Sequence, residues 1–322
     1  MRIWNIVRGT GALALAAGSA TYVNFRREMK QACAALEAGS LIIETAGGPI
    51  EFGREGAGAP ALVIHGAGGG YDQGLMIGRD TLGSGFDLIA PSRFGYLRTP
   101  LGSDLSPSAQ ADAHAALLDA LGIDKVVVLA ASAGAPSAIE LALRFPNRVS
   151  SMVLLVPRAY APGQIVGPDK SRSSQAVLRL IEASADFAFW LGIRFARPAI
   201  VRFLGVPPEL EARAAPEERE KITALMRSIL PLSRRIAGID AEDAFEMVEW
   251  PLHRVLCPTL IVSAEDDLFG TLAGARFTAE HINDAELKVF EEGGHLLVGH
   301  GDEVRKIVAD FLNRQRRVRK AA

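Results

Sequence analysis

The chain has little cysteine, since Cys33 and Cys257 are its only two among 322 residues. Two cysteines cannot form a disulfide framework or a cysteine-rich zinc site. The chain also lacks a large excess of either charge, because 35 basic and 37 acidic residues leave a formal net charge of -2. This balance excludes a global basic field of the kind that binds nucleic acid. We therefore expect no nucleic-acid partner.

Internal repeats and low-complexity tracts are also lacking. The 49% hydrophobic and 22% charged residues are ordinary values for a globular protein, which excludes disorder, collagen and coiled coil for most of the chain. The length fits two small domains, or one large domain that carries an insertion. The mean hydropathy of +0.17 is high for a soluble enzyme. Some part of the chain must therefore be unusually apolar.

The N-terminus contains such a part, because residues 9–25 include no charged side chain. Basic residues flank this run on both sides. Such a segment fits an uncleaved single-pass anchor, or a signal peptide that is cleaved near the small residues 18–20. A third alternative is a helix that lies on the globular body. We take residues 1–38 as an anchor or signal segment, and predict a protein that is membrane-associated, or exported if the segment is cleaved.

From residue 39 onward, short apolar runs rich in β-formers alternate with helical patterns. This alternation predicts a mostly parallel, doubly wound sheet that is covered by helices on both faces. We expect an opening hairpin and six further strands, at residues 40–46, 49–54, 61–65, 86–91, 125–131, 151–156, 259–263 and 287–291.

The alternation stops between about residues 157 and 250, where no convincing strand occurs. Helical patterns in this region carry several aromatic residues, namely Phe187, Phe189, Trp190, Phe195 and Phe203. A helical stretch between two strands of one sheet is expected to form a cap. We therefore predict one α/β domain over residues 39–322 with a helical cap at about 157–250.

Ser132 lies between the strongest predicted strand and a helix, in the segment AASAG at 130–134. A serine on such a tight turn is held with its hydroxyl exposed above the edge of the sheet. The small residues two places before and after it avoid collisions within the turn. The alternative interpretation is a serine that only caps the helix.

The glycine-rich segment HGAGGG at 65–70 follows another predicted strand. Its backbone N–H groups are suited to bind an oxyanion. A phosphate-binding loop is the competing interpretation, but Tyr71 stands where the third glycine of that motif is needed, and no Lys-Ser/Thr pair follows. His65 is expected to hold the loop rather than to take part in chemistry.

Two further polar sites follow predicted strands. Asp266 and Asp267 come after the strand at 259–263, and His295 lies in a glycine-rich loop after the last strand. A histidine in such a loop is free to project inward and acts near neutral pH. The chain order of oxyanion loop, serine, aspartate and histidine is that of the α/β-hydrolase arrangement. We therefore predict a catalytic triad of Ser132, one of the two aspartates, and His295.

The sequence resembles the α/β-hydrolase superfamily over about residues 40–316. The segments that carry the resemblance are HGAGGG, APSRFGYLRTP, AASAG, PTLIVSAEDD and EEGGHLLVGH. The resemblance implies an α/β-hydrolase fold with a helical cap inserted between strands, of the esterase or lipase type. A serine at the nucleophile position argues against haloalkane dehalogenases and epoxide hydrolases, which resemble this fold but have an aspartate there.

The resemblance also implies roles for single residues. Ala264 takes the place of a glycine that normally lies three residues before the catalytic acid, which favours Asp267 over Asp266. By the same resemblance, the backbone amides of Ala67 and Ala133 are the oxyanion donors.

The expected function is hydrolysis of a small-molecule carboxylic ester with an apolar acyl or lipid-like group, through an acyl-enzyme. We expect no metal or organic cofactor, and a possible membrane contact through residues 9–25. Hydrolysis of a carbon–carbon bond or of a lactone by the same fold is an open alternative. A non-catalytic, membrane-anchored binding protein is another. The sequence indicates neither the oligomeric state nor the residues that select the substrate.

Overall fold

The computed structural model describes residues 2–164, 166–168, 170–183, 185–243 and 247–321. Within these residues, eight strands form one sheet. The strands are β1 (Leu41–Thr45), β2 (Gly48–Gly56), β3 (Ala59–Ile64), β4 (Phe86–Pro91), β5 (Val126–Ala131), β6 (Val149–Leu155), β7 (Thr259–Ala264) and β8 (Ala285–Phe290).

The strands lie in the order β1-β2-β4-β3-β5-β6-β7-β8. β2 pairs antiparallel with β1 and β4, and all the other neighbours are parallel. β7 is buried along its whole length, and β5 along all but its last residue. Unbroken apolar strands are typical of a parallel sheet with both faces covered. The predicted fold class is therefore confirmed.

Twelve helices are assigned in the described part of the chain. They are α1 (Arg2–Ala38), α2 (Tyr71–Leu82), α3 (Pro107–Ala120), α4 (Ala135–Arg144), α5 (Arg172–Glu182), α6 (Asp186–Phe195), α7 (Arg197–Phe203), α8 (Pro208–Arg213), α9 (Pro216–Ser228), α10 (Ile236–Asp243), α11 (Leu272–His281) and α12 (Gly301–Ala321).

Helix α2 was not predicted from the sequence, because Gly74 and Gly78 weaken its helical pattern. Both glycines are needed where the helix packs on the sheet. A Cβ atom on Gly74 would lie 2.8 Å from Cβ of Ala90, and one on Gly78 would lie 3.0 Å from the side chain of Leu88. Close packing against the sheet thus outweighs the low helix propensity of glycine.

The helices α5 to α10 lie between β6 and β7 in the chain and have their own hydrophobic core. Phe189 and Trp190 are buried in that core, whereas Phe195 is 80% exposed. The described members of this core include residues of α5, α6, α7 and α9, among them Val177, Ile181, Ile193, Ile200, Val201, Ile222 and Met226. Two cap aromatics therefore stabilise the cap itself.

Helix α1 packs against this cap with residues of its second half. The ring of Phe25 lies 5.0 Å from that of Phe187 and 5.7 Å from that of Trp190. The carboxylate of Glu28 accepts hydrogen bonds from Nε1 of Trp190, at 2.8 Å, and from Arg194, at 2.7 Å. Through Phe25 and Glu28, this helix thus packs on the cap.

A membrane-spanning anchor was one interpretation of residues 9–25. In the ranges that the structure describes, however, no helix is both long enough and apolar enough to cross a membrane. Membrane association, or export after cleavage, stays a prediction.

Replacing Phe25 by Ala should lower the free energy of unfolding by about 3 kcal/mol, because the ring is buried between α1 and the cap. Urea denaturation followed by tryptophan fluorescence measures the loss. The control is Val23→Ala on the same helix, where the side chain is 65% exposed and the expected change is below about 0.5 kcal/mol. Equal losses in the two variants would contradict the packing described above.

Candidate active site

Ser132 follows β5 and begins a 3₁₀ turn that leads into α4. Its φ angle is +48°, a left-handed conformation that costs a non-glycine residue about 1–3 kcal/mol. The turn packs closely against β3, since a Cβ atom on Gly134 would lie 2.8 Å from the carbonyl oxygens of Ile64 and His65. The small residue at 134 therefore permits the strained turn that presents the serine.

His295 joins this serine to one of the two candidate aspartates. Its Nε2 lies 2.8 Å from Oγ of Ser132, and its Nδ1 lies 2.9 Å from Oδ2 of Asp267. Asp266 instead accepts a hydrogen bond from the backbone N–H of Gly294, at 2.7 Å. The structure thus brings together Ser132, His295 and Asp267, while Asp266 holds the loop that carries the histidine.

The carboxylate of Asp267 is buried and accepts further hydrogen bonds from the backbone N–H of Phe269, at 2.8 Å, and from the hydroxyl of Thr271. Burial alone raises its pKa, but the charge and hydrogen bond of His295 and the bonds from Thr271 and Phe269 outweigh burial. The pKa of Asp267 is therefore lowered from 3.8, and the group is ionised at neutral pH. Thr271 was not identified from the sequence.

A cap residue holds the same two loops. The carbonyl oxygen of Gly205 accepts hydrogen bonds from the backbone N–H groups of His295, at 3.0 Å, and Leu268, at 3.1 Å. Gly205 has a φ angle of +78°, and a Cβ atom there would lie 2.6 Å from Cβ of His295. Only glycine fits this close approach between the cap and the histidine loop.

His65 has the structural role predicted from the sequence. It is fully buried, its Nδ1 lies 2.7 Å from the carbonyl oxygen of Gly66, and its Nε2 lies 3.1 Å from the backbone nitrogen of Arg93. Burial and the charge of Arg93 hold the pKa of His65 well below 6.5. The neutral ring therefore donates to Gly66 through Nδ1 and accepts from Arg93 through Nε2.

Two buried arginines hold the glycine-rich loop at 65–70. Nη2 of Arg93 donates to the carbonyl oxygen of Gly66, at 3.0 Å. Arg235, which comes from the cap, donates to the carbonyl oxygen of Gly69 and pairs with Asp72 at 2.9 Å. The predicted donor Ala67 lies in the loop between these two anchors.

A carboxylate from the cap completes the support of this loop. Glu242 of α10 accepts hydrogen bonds from Arg93 and from the hydroxyl of Tyr96. The same hydroxyl accepts a hydrogen bond from the backbone N–H of Gly68, at 3.3 Å. None of these contacts was predicted, because they join residues that are far apart in the chain.

One cavity of about 410 Å³ is lined by the predicted site residues Ser132, His295, Ala67 and Ala133. Its walls are mostly aliphatic and come from both the sheet domain and the cap, including Met76, Ile77, Leu178, Ile181, Leu204, Ile222, Leu225, Ile229, Leu296 and Val298. Of the five cap aromatics named above, Phe203 alone is among the described residues that line it.

In the described ranges, no group of three or more His, Cys, Asp or Glu side chains is placed to hold a metal ion.

A family model described as the alpha/beta hydrolase fold matches residues 60–302. The chain belongs to this family. The uncharacterized hydrolase YcgS of Bacillus subtilis is 28% identical over 263 residues, which cover 78% of this chain and 89% of that protein. The 2-hydroxymuconate semialdehyde hydrolase of a Pseudomonas species is 26% identical over 266 residues, which cover 80% and 88%.

Among solved structures, an alpha/beta hydrolase fold protein from Nakamurella multipartita is similar, with a TM-score of 0.67 and 29% identity. The match covers 85% of this chain and 98% of that one. The family membership and the α/β-hydrolase fold implied by the sequence resemblance are thus confirmed.

Replacing Asp267 by Asn should lower the free energy of unfolding by about 1–3 kcal/mol at pH 7, because the bonds to a charged group are lost. The pKa of Asp267 is lowered by folding, so its ionised form stabilises the protein above the unfolded-state pKa of about 3.9. The difference between wild type and variant should therefore shrink as the pH falls below that value. Urea denaturation across pH 7 to 3 measures this.

The control for this experiment is Asp112→Asn, since Asp112 pairs with Arg144 on the exposed surface. We expect it to change stability by less than about 1 kcal/mol at pH 7. A loss in Asp267→Asn that stays constant down to pH 3 would contradict the lowered pKa of Asp267 in the folded protein.

Proposed function

We propose that the protein is a serine hydrolase that cleaves carboxylic esters through an acyl-enzyme. The observation that carries this proposal is the continuous hydrogen-bonded chain from Ser132 through His295 to Asp267. Nucleophile, base and orienting carboxylate lie in the order that nucleophilic catalysis requires. The serine also lines a cavity that is large enough for a small molecule.

In this mechanism, Nε2 of His295 accepts the proton of Ser132 as Oγ attacks the carbonyl carbon of the ester. Asp267 keeps the proton of His295 on Nδ1 and stabilises the imidazolium that forms. His295 then gives its proton to the leaving alcohol. Water releases the acyl group by the same steps, with His295 again acting first as base and then as acid.

The negative charge on the attacked oxygen needs hydrogen-bond donors. The backbone N–H groups of Ala67 and Ala133 are proposed for this role, and each donor would lower the barrier by about 2.7–4 kcal/mol. The contacts of Arg93 and Arg235 with the loop support the proposal, because fixed donors need no reorganisation during the reaction.

The aliphatic cavity walls support an apolar acyl or lipid-like group in the substrate. Hydrolysis of a carbon–carbon bond or of a lactone by the same residues is the second candidate. The similarity to a 2-hydroxymuconate semialdehyde hydrolase is the observation that favours keeping it. Turnover of simple esters compared with that of lactones and of ring-cleavage products would separate the two.

Replacing Asp267 by Asn should lower kcat for p-nitrophenyl butyrate by about 10⁴-fold, because the histidine loses its orienting carboxylate. Ser132→Ala should abolish both turnover and labelling by a fluorophosphonate probe. The matched control is Asp266→Asn, which retains an oxygen to accept from Gly294, and we expect a change of less than about tenfold.

Two results would contradict the proposal. One is an activity that survives in Ser132→Ala. The other is a larger loss in Asp266→Asn than in Asp267→Asn, which would exchange the proposed roles of the two aspartates.

A second prediction concerns the length of the acyl group. Leu225 lines the cavity, so that Leu225→Trp should fill part of it and shift the preferred p-nitrophenyl ester towards shorter chains. We expect kcat/KM for the octanoate to fall at least tenfold more than kcat/KM for the acetate. An exposed control, Leu101→Trp, should leave the chain-length profile unchanged. Equal effects of Leu225→Trp on both esters would exclude this wall from the acyl site.

A further inference from the structure

We propose that the cavity continues from Ser132 as a channel for one straight acyl chain of about eight to ten carbons, so that the preferred substrates are esters of medium-length fatty acids. This acyl channel lies between α2 of the sheet domain and α9 of the cap. The inference rests on the proposed function, since it names the substrate class of the same site.

The acyl channel begins beside the glycine-rich loop. Gln73, in the first turn of α2, donates from Nε2 to Oγ of Ser228 at the end of α9, at 3.3 Å. A Cβ atom on Gly68 would lie 3.8 Å from the side chain of Ile229, which directly follows α9. The start of α2 and the end of α9 therefore lie together at the loop that precedes α2.

Each of these two helices turns one face towards the cavity along its length. The lining residues include Gln73, Ile77 and Asp80 on α2, and Leu225, Lys221 and Glu218 on α9. Spacings of three and four residues place side chains on one side of a helix. The cavity thus follows both helices, from the glycine-rich loop towards the C-terminus of α2 and the N-terminus of α9.

The far end of the acyl channel carries charged side chains. Asp80 and Lys221 are exposed there. Nε of Arg305, from α12, donates to the carbonyl oxygen of Asp80 at 2.9 Å, and Lys221 pairs with Glu218 at 2.9 Å. A Cβ atom on Gly301, the first residue of α12, would lie 3.5 Å from Nζ of Lys221. The channel thus ends where α12 meets both helices, among polar groups that are in contact with water.

Between its two ends, the acyl channel has apolar walls. Met76 and Ile77 come from α2, Leu225 comes from α9, and Val304 comes from α12. Burial of each methylene group is worth about a fourfold gain in affinity. A straight hydrocarbon chain would therefore gain with every carbon as far as the charged end, and would gain little beyond it.

The length of α2 sets the length of the chain. From Gln73 to Asp80 the helix rises about 10 Å, at about 1.5 Å per residue. A straight hydrocarbon chain with bonds of about 1.5 Å and angles of about 111° advances about 1.25 Å per carbon. The channel therefore holds about eight carbons beyond the carbonyl group, which is the size of an octanoyl or decanoyl chain.

The proposed mechanism assigns the acyl chain, rather than the alcohol, to this channel. The leaving alcohol takes its proton from His295 and therefore lies against the histidine. The carbonyl group instead faces the glycine-rich loop, where the proposed donor Ala67 lies. Because the channel begins at that loop, the chain that it receives is the one attached to the carbonyl carbon.

The first experiment measures kcat/KM of the wild type for p-nitrophenyl esters of straight-chain acids from acetate to tetradecanoate, each below its critical micelle concentration. We expect a rise of at least about fivefold for every two carbons up to octanoate or decanoate, and less than about twofold in total beyond it. Alkyl acetates from ethyl to dodecyl should show no such limit. A limit in the alkyl acetates alone would overturn the assignment of the acyl chain, and a limit in neither series would overturn the channel.

Two variants of α9 should move the limit in opposite directions. Leu225→Trp closes the channel about 6 Å before its charged end and should shorten the preferred chain by about four carbons. Lys221→Met makes that end more apolar, and should raise the ratio of kcat/KM for the dodecanoate to that for the octanoate at least about threefold. A folding defect cannot produce this second change. Unchanged chain-length profiles in both variants would contradict the proposal.

The matched controls are the same kinds of change at exposed positions. Ala224→Trp lies next to Leu225, and Lys125→Met replaces a lysine of the sheet domain. Neither residue is among the described residues that line the cavity. Both variants should keep the chain-length profile of the wild type, and a shift in either of them equal to that of its partner would overturn the channel.

A binding measurement distinguishes failure of the channel from failure of the proposed function. Isothermal titration calorimetry with Ser132→Ala compares methyl hexanoate, decanoate and tetradecanoate without turnover, and Ser132→Ala/Leu225→Trp is its control. If the wild type hydrolyses no ester, but affinity rises up to the decanoate only while Leu225 is present, the channel stands and the ester chemistry falls. If turnover requires Ser132 but Leu225→Trp lowers kcat/KM equally for all chain lengths, the channel falls and the proposed function stands.

Discussion

The convergence of parallel strands at one edge of the sheet is the constraint on which the site depends. β5, β7 and β8 each end at this edge, and the segments after them carry Ser132, Asp267 and His295 in turn. The hydrogen bonds of 2.8 and 2.9 Å between these side chains are possible because three separate segments are fixed by one rigid ladder. Loops on a scaffold of this kind are where chemistry is usually placed.

The cap contributes to the site as well as covering it. Gly205 accepts hydrogen bonds from the backbone of Leu268 and His295, while Arg235 and Glu242 support the glycine-rich loop at 65–70. Arg235 and Glu242 are buried, and hydrogen bonds between buried polar groups are stronger than those exposed to water. The position of the cap and the positions of His295 and the loop at 65–70 are thus linked.

The fold class and the residues that the structure brings together could be predicted from the sequence, because each is indicated by a short continuous segment. Ser132 directly follows a strand and a small residue, and Asp266 and Asp267 closely follow another strand. The role of Gly205 could not be found in this way, because its partner His295 lies in another element and the contact depends on tertiary packing. Trp190, one of the cap aromatics, stabilises the cap and donates a hydrogen bond to Glu28 of α1.

The carbonyl group of Gly205 has a consequence for substitutions around it. It links a segment of the cap to the segments of Leu268 and His295 through backbone atoms, so that these two hydrogen bonds do not depend on the side chain at 268. A side chain at 205 would push the cap and the histidine loop apart, because its Cβ atom would lie 2.6 Å from Cβ of His295. The cap therefore meets the histidine loop through a residue that has no side chain.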